Sequence, residues 1–175
     1  MAASKNIDEL LHLLLGQYAW LVQRGYGTML TMQFGQPHRA VRKPIRASED
    51  AGTTVKKTLE RRLVLIKGDI SLRIRDSQWS ISTEDVVVDW RSDALAVDNM
   101  LVFHLDGQRV LSADRRVDET VLKFDLGTTL RLGRSIYPGD MESGLWSISM
   151  WEGPRAVLFD GGRAEYRDGD GGHTN

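Results

Sequence analysis

Between Thr120 and Leu132 the chain reads as two alternating runs. Leu122 and Phe124 alternate with Val121, Lys123 and Asp125, and after Asp125-Leu-Gly127 the residues Leu130 and Leu132 alternate with Thr129 and Arg131. Two period-two runs around a short turn ending in glycine describe an antiparallel hairpin with one buried face. The pattern recurs. Ile70, Leu72 and Ile74 alternate with Ser71, Arg73 and Arg75, and Trp79 and Ile81 continue the apolar face. Tyr18, Trp20 and Val22 at period two predict a strand, Gly25-Tyr-Gly27 its turn and Thr28–Phe34 the returning strand. An edge strand is expected over 38–45, because Pro44 has no N–H to give a ladder. Leu63-Val-Leu-Ile66 is a continuous apolar run, with Gly68-Asp69 as a bulge or turn behind it. Val86–Trp90 is a further apolar run, and strands are predicted near 108–114, 145–151, 155–160 and 163–167.

Two segments change period. Asn6-Ile-Asp-Glu9 has the form of a capping box, Ile7, Leu10, Leu11 and Leu14 follow helical spacing, and Gly16 suits a left-handed helix end, so a helix is predicted over 7–15. Ser92 or Asp93 caps a second helix over 94–104, with Leu95, Val97, Met100 and Leu101 inward. Residues 47–57 read as a polar loop, and 168–175 as a disordered tail with nothing to bury. The expected fold is α+β, mostly antiparallel β in a twisted sheet or half-open barrel, forming one domain over 1–167.

Several of these elements together resemble a group of small bacterial β-rich proteins. They are Phe34-Gly-Gln-Pro37, Gly68 leading into Trp79-Ser-Ile81, Leu105-Asp-Gly-Gln108, and Phe124-Asp-Leu-Gly127 followed by Leu130. Members often carry Trp in the strand after Gly68, where this chain has Asp69-Ile-Ser-Leu72. The resemblance implies a shared β-rich fold and brings no activity with it.

Composition narrows the class. A chain of 175 residues buries roughly 70% of its unfolded surface and needs no covalent staples. With no cysteine there is no disulfide, thiolate ligand or cysteine nucleophile, which fits a reducing, cytoplasmic setting. The apolar stretch Leu10–Leu15, broken by His12, is too short for a signal peptide or a membrane span. The net charge of −1 is unevenly spread: residues 38–75 hold 11 Lys/Arg against 4 Asp/Glu, and residues 76–175 hold 10 against 18. Such a split marks either a basic partner-binding stretch or two halves of one fold that attract each other.

Signatures of chemistry are sparse. His12, His38, His104 and His173 lie at no metal-ligand spacing, and neither a phosphate-binding glycine loop nor a serine elbow is present, so no metal or cofactor is expected. Asp85 and Asp89 form the one carboxylate pair on a predicted strand, about 13 Å apart by the strand rise. That exceeds the roughly 5–9.5 Å used in glycoside hydrolysis. The basic stretch 38–75 satisfies the electrostatic criterion for nucleic acid but contains no aromatic residue for stacking bases. Trp146 and Trp151 have opposite parity on one predicted strand, which puts one of them outside the core, and they join Arg73 and Arg75 as interaction candidates.

The leading reading is a non-enzymatic interaction or binding module, immunity- or adaptor-like. Its partner is an unknown protein or a second copy in a homodimer, with no membrane involved. The alternatives are a carboxylate-based enzyme or small-ligand binder in a barrel cleft, and a nucleic-acid binder through 38–75.

Overall fold

The computed structural model describes residues 6–137, 139 and 144–167. In chain order its elements begin with α1 (Ile7–His12), β1 (Trp20–Arg24), β2 (Leu30–Phe34), β3 (His38–Arg42), α2 (Thr53–Leu59), β4 (Leu63–Lys67), β5 (Ile70–Ile74), β6 (Ser77–Ser82) and β7 (Val87–Asp89). They continue with α3 (Ala94–His104), β8 (Val110–Arg115), β9 (Thr120–Phe124), β10 (Thr129–Ser135), β11 (Gly144–Met150), β12 (Arg155–Phe159) and β13 (Ala164–Arg167). The strands form a six-stranded sheet in the order β1-β2-β5-β11-β12-β13, a five-stranded sheet β7-β6-β10-β9-β8 and a two-stranded ribbon β3-β4. Every pairing is antiparallel. The fold is α+β with open, twisted sheets and is not closed into a barrel.

One core joins the two large sheets. Met32, Leu72, Ile74 and Ile148 from the first meet Trp79, Ile81, Leu122 and Leu132 from the second. The hairpin of β9 and β10 pairs Leu122 with Leu130 and Thr120 with Leu132, and Gly127 at φ +90° closes its turn. The residue that must leave the right-handed region is thus the glycine, as the alternation requires.

The helices follow their caps. Asn6 accepts a hydrogen bond from the Asp8 amide, and Asp93 accepts one from the Ala96 amide. The α-helical part of α1 ends at His12, and turns continue to Gly16 at φ +77°. In α3, Val97, Met100 and Leu101 face inward as expected, but Leu95 is exposed, because it lies on the far side from those three. Residues 53–57 of the expected polar loop are instead helical, within α2, which buries no residue. The expectation for 168–175 lies outside the described residues.

Strand β1 departs from its predicted parity. Leu21 takes φ +50°, and the register to β2 slips between Trp20 and Gln23. Ala19 and Val22 are therefore buried, whereas Tyr18 is exposed and Trp20 half-buried. Asp106 accepts a hydrogen bond from the Val22 amide at 3.1 Å, satisfying a donor at the slip.

A polar knot fastens α3 to the β9–β10 turn. Gln108, buried, donates to the His104 carbonyl at 2.6 Å and to Thr128 Oγ1 at 2.8 Å, and accepts from the Leu126 amide at 3.2 Å. Thr128 also donates to the His104 carbonyl. The Leu105-Asp-Gly-Gln108 and Phe124-Asp-Leu-Gly127 segments are two halves of this one joint.

Candidate interaction surface

Strands β2 and β5 do not stop at the edge of the sandwich. Phe34 pairs with Ile70, and beyond a short break His38 pairs with Lys67, so β3 and β4 prolong the same hairpin as an arm. Residues 35–37 on one strand stand opposite 68–69 on the other. That extra residue is a bulge, which redirects the ribbon and resets which side chains share a face.

The break is tightly held. Gly35 has φ +77°, and a Cβ on Gly68 would lie 2.3 Å from the Phe34 carbonyl oxygen. Asp69 clamps the opposite strand. Its carboxylate accepts from the Gln36 amide at 2.6 Å and meets His38 Nε2 at 2.6 Å. Its amide donates to the Gln36 carbonyl at 3.1 Å, and its carbonyl accepts from the Trp151 amide at 2.8 Å. The His38 ring stacks on Trp151, with centroids 4.9 Å apart and planes 7° from parallel. Trp20 Nε1 donates to the Gly35 carbonyl, and Gln33 Oε1 accepts from the Gly68 amide and from Ser71 Oγ. The hydrogen bonds from His38 and then from the Gln36 amide hold the Asp69 carboxyl below its ordinary 3.8.

The arm leaves its apolar residues uncovered. Arg39 lies opposite Ile66 and Val41 opposite Val64, so these four share one face. Val41, Val64 and Ile66 are 38%, 48% and 47% exposed. On the other face Arg42 donates to the Thr58 carbonyl of α2 at 2.6 Å, and the Ile45 amide donates to the Leu59 carbonyl. Residues 38–67 carry nine of the 23 basic residues and three of the 24 acidic ones. The result is a basic ribbon with a β-branched face open to solvent.

The predicted site residues fall in different places. Trp146 is 1% exposed within the core, so it is corrected from a contact candidate to a packing residue. Trp151, half-buried, stands at the base of the arm through its stack on His38. Arg73 and Arg75 are exposed; Arg73 lies in the middle of the six-stranded sheet between Thr31 and Ser147. Asp85 and Asp89 do not share a strand, since β7 begins at Val87 and Asp85 lies in the turn before it. Asp89 Oδ1 accepts from the amides of Arg91 and Ser92 at 2.8 and 3.1 Å, which makes it a turn-forming residue.

A half-open cavity of about 10 Å³, lined by Val117, Asp118, Glu119, Thr120, Leu132 and Asp160, has room for about one water molecule. Among the described residues, no group of three or more His, Asp or Glu side chains is placed to hold a metal ion. No helix of the described residues is long and apolar enough to cross a membrane. No family model matches the chain, and neither a curated protein nor a solved structure matches it.

The sequence singles out Trp151 and the basic stretch as candidates and gives no direct sign of the His38–Asp69 contact. The unequal segments 35–37 and 68–69, each containing a glycine, were its only local trace.

Proposed function

We propose that this protein is a non-enzymatic binding module whose contact surface is the arm formed by β3, α2 and β4. The observation that carries this reading is the open face of Val41, Val64 and Ile66. An isolated two-stranded ribbon is marginal in water, and exposed β-branched residues beside unpaired strand edges are the usual template for strand addition or sheet covering. The clamp at Asp69 supports the same reading, because it fixes where the arm points and lowers the ordering cost of contact. Against the enzyme alternative, the Asp89 carboxylate is engaged by the Arg91 and Ser92 amides as a turn acceptor, and Asp85 lies in the turn before β7.

The experiment is capture by the tagged full chain, with and without nuclease, comparing wild type with Val64→Glu/Ile66→Glu. A stoichiometric protein, whether another species or a second copy, is expected to be held by wild type after nuclease treatment and lost by the variant at unchanged thermal stability. Equal capture by both proteins removes the arm as the contact surface. A wild-type protein that holds nothing and does not self-associate removes the binding-module reading altogether.

A further inference from the structure

The preceding reading leaves the occupant of the arm open, and on that reading we infer that the occupant is the acidic body of a second copy of this chain, in a reciprocal two-fold dimer. Charge is the first argument. With nine basic and three acidic residues in the arm, the remainder of the chain holds fourteen against twenty-one. Of that remainder the described residues hold thirteen basic against seventeen acidic, so an arm of +6 meets a body of −4 when each arm lies on the other subunit's body. A foreign acidic partner would neutralise the arm and leave the body's own excess unanswered.

The second argument is local chemistry. Strand β7 ends the five-stranded sheet; the turn leading into it exposes Glu84, Asp85 and Val86, and the strand's first residue, Val87, is 68% exposed. Two carboxylates followed by two exposed valines match, in opposite charge and the same β-branched character, the arm face of Arg39, Val41, Val64 and Ile66. Arg62, just before β4, is exposed and continues the alternation onto that face. A strand that ends a sheet meets a ribbon with free edges, so backbone pairing can accompany side-chain contact. Two-fold symmetry makes the contact twice, and the second closes at high effective concentration. A nucleic-acid occupant fits less well, because the arm offers no Phe, Tyr or Trp to stack a base and three aliphatic side chains, Val41, Val64 and Ile66, separate the arginines of its open face.

Sedimentation equilibrium of the full chain tests this. Wild type is expected to be a dimer at low ionic strength whose dissociation constant rises with salt. Arg39→Glu/Arg62→Glu and Glu84→Lys/Asp85→Lys should each weaken self-association by about 10–100-fold. Mixed in equal amounts, the two variants should form a heterodimer of near wild-type affinity, since each arm then finds a body of opposite sign. A monomeric wild type at low salt, or a mixture no tighter than either variant alone, overturns the inference. If wild type is monomeric but retains a foreign protein or duplex DNA that Arg39→Glu/Arg62→Glu releases, the second-copy inference falls and the arm stands as the contact surface. If the arm variant behaves as wild type in every arm of the experiment, both fall.

Discussion

In β5, Ile70, Leu72 and Ile74 are buried while Arg73 between them is exposed; in β4, Leu63 is half-buried and Val64, Leu65 and Ile66 are all exposed. Two strands separated by only Gly68 and Asp69 thus treat the same residue types in opposite ways. The difference lies in what faces each strand. Strand β5 is flanked by β2 and β11 and roofed by the second sheet, whereas β4 has one neighbour and one helix near its far end. Hydrophobicity therefore reports a need for cover and leaves open whether the chain itself supplies the cover. Substitutions in the two regions should separate folding from association.

The largest expected effect is in the sandwich. Trp146→Ala removes a side chain that is 1% exposed between two sheets, at a cost of about 3–5 kcal/mol. Denaturant unfolding measures it; a loss below about 1 kcal/mol would mean that Trp146 does not occupy the core. Gly68→Ala comes next, at the junction of the two regions. Its Cβ would lie 2.3 Å from the Phe34 carbonyl oxygen and 2.8 Å from the Phe34 amide nitrogen, backbone atoms that cannot swing aside. A loss of about 2 kcal/mol is expected, together with faster hydrogen exchange at the amides of β3 and β4. Unchanged exchange there would separate the junction from the arm.

Gln108→Ala probes the knot within the body. It strips Thr128 Oγ1, the His104 carbonyl and the Leu126 amide of a shared partner, for a loss of about 1–2 kcal/mol. This joint shows how much of the fold was legible. Both of its turns were readable, because Leu105-Asp-Gly and Phe124-Asp-Leu-Gly are local signals. That Gln108 links them was not, since the amide's partners come from chain segments on either side of it. The same limit hid the candidate site: His38 and Asp69 are 31 residues apart, and nothing near either one names the other. Helix α2 was illegible for a different reason. Its cap, Gly52, gives no side-chain bond, its first residues Thr53, Thr54 and Val55 are β-branched, and no buried face imposes a helical period. The parity of β1 was misread because the bulge at Leu21, a residue with no special turn chemistry, lies between the two apolar positions being counted.

Asp69→Asn tests the clamp at lower energy. Hydrogen bonds hold the Asp69 carboxyl below 3.8 in the folded protein. Its contribution is therefore complete above the unfolded value and is lost as pH falls through the folded one. The side chain is 48% exposed, so solvent screening keeps the effect below about 1 kcal/mol. Asp8, held low chiefly by its hydrogen bonds from Arg115 at 2.7 and 3.0 Å, follows the same sign between α1 and β8. The expected result is a small deficit of Asp69→Asn relative to wild type near neutral pH that vanishes in acid. A deficit that persists unchanged below the folded value would assign it to packing against His38 and Trp151.

The smallest effect on folding is expected from Val64→Thr/Ile66→Thr. Threonine keeps the β-branched shape that suits a strand, and neither original side chain is buried in the single chain, so little transfer energy is forfeited. Unfolding of dilute protein should move by no more than about 0.5 kcal/mol. The corresponding exchange at Ile148, which is 0% exposed, brings a hydroxyl into the core and belongs with Trp146→Ala at the other end of the scale. The comparison becomes sharper at high protein concentration. If a second chain covers the arm, the stability of wild type should rise with concentration while that of Val64→Thr/Ile66→Thr stays flat, because only the covered state senses the loss of apolar area. Parallel curves for the two proteins would mean that Val64 and Ile66 remain in water in solution, and the asymmetry between β4 and β5 would then have no partner behind it.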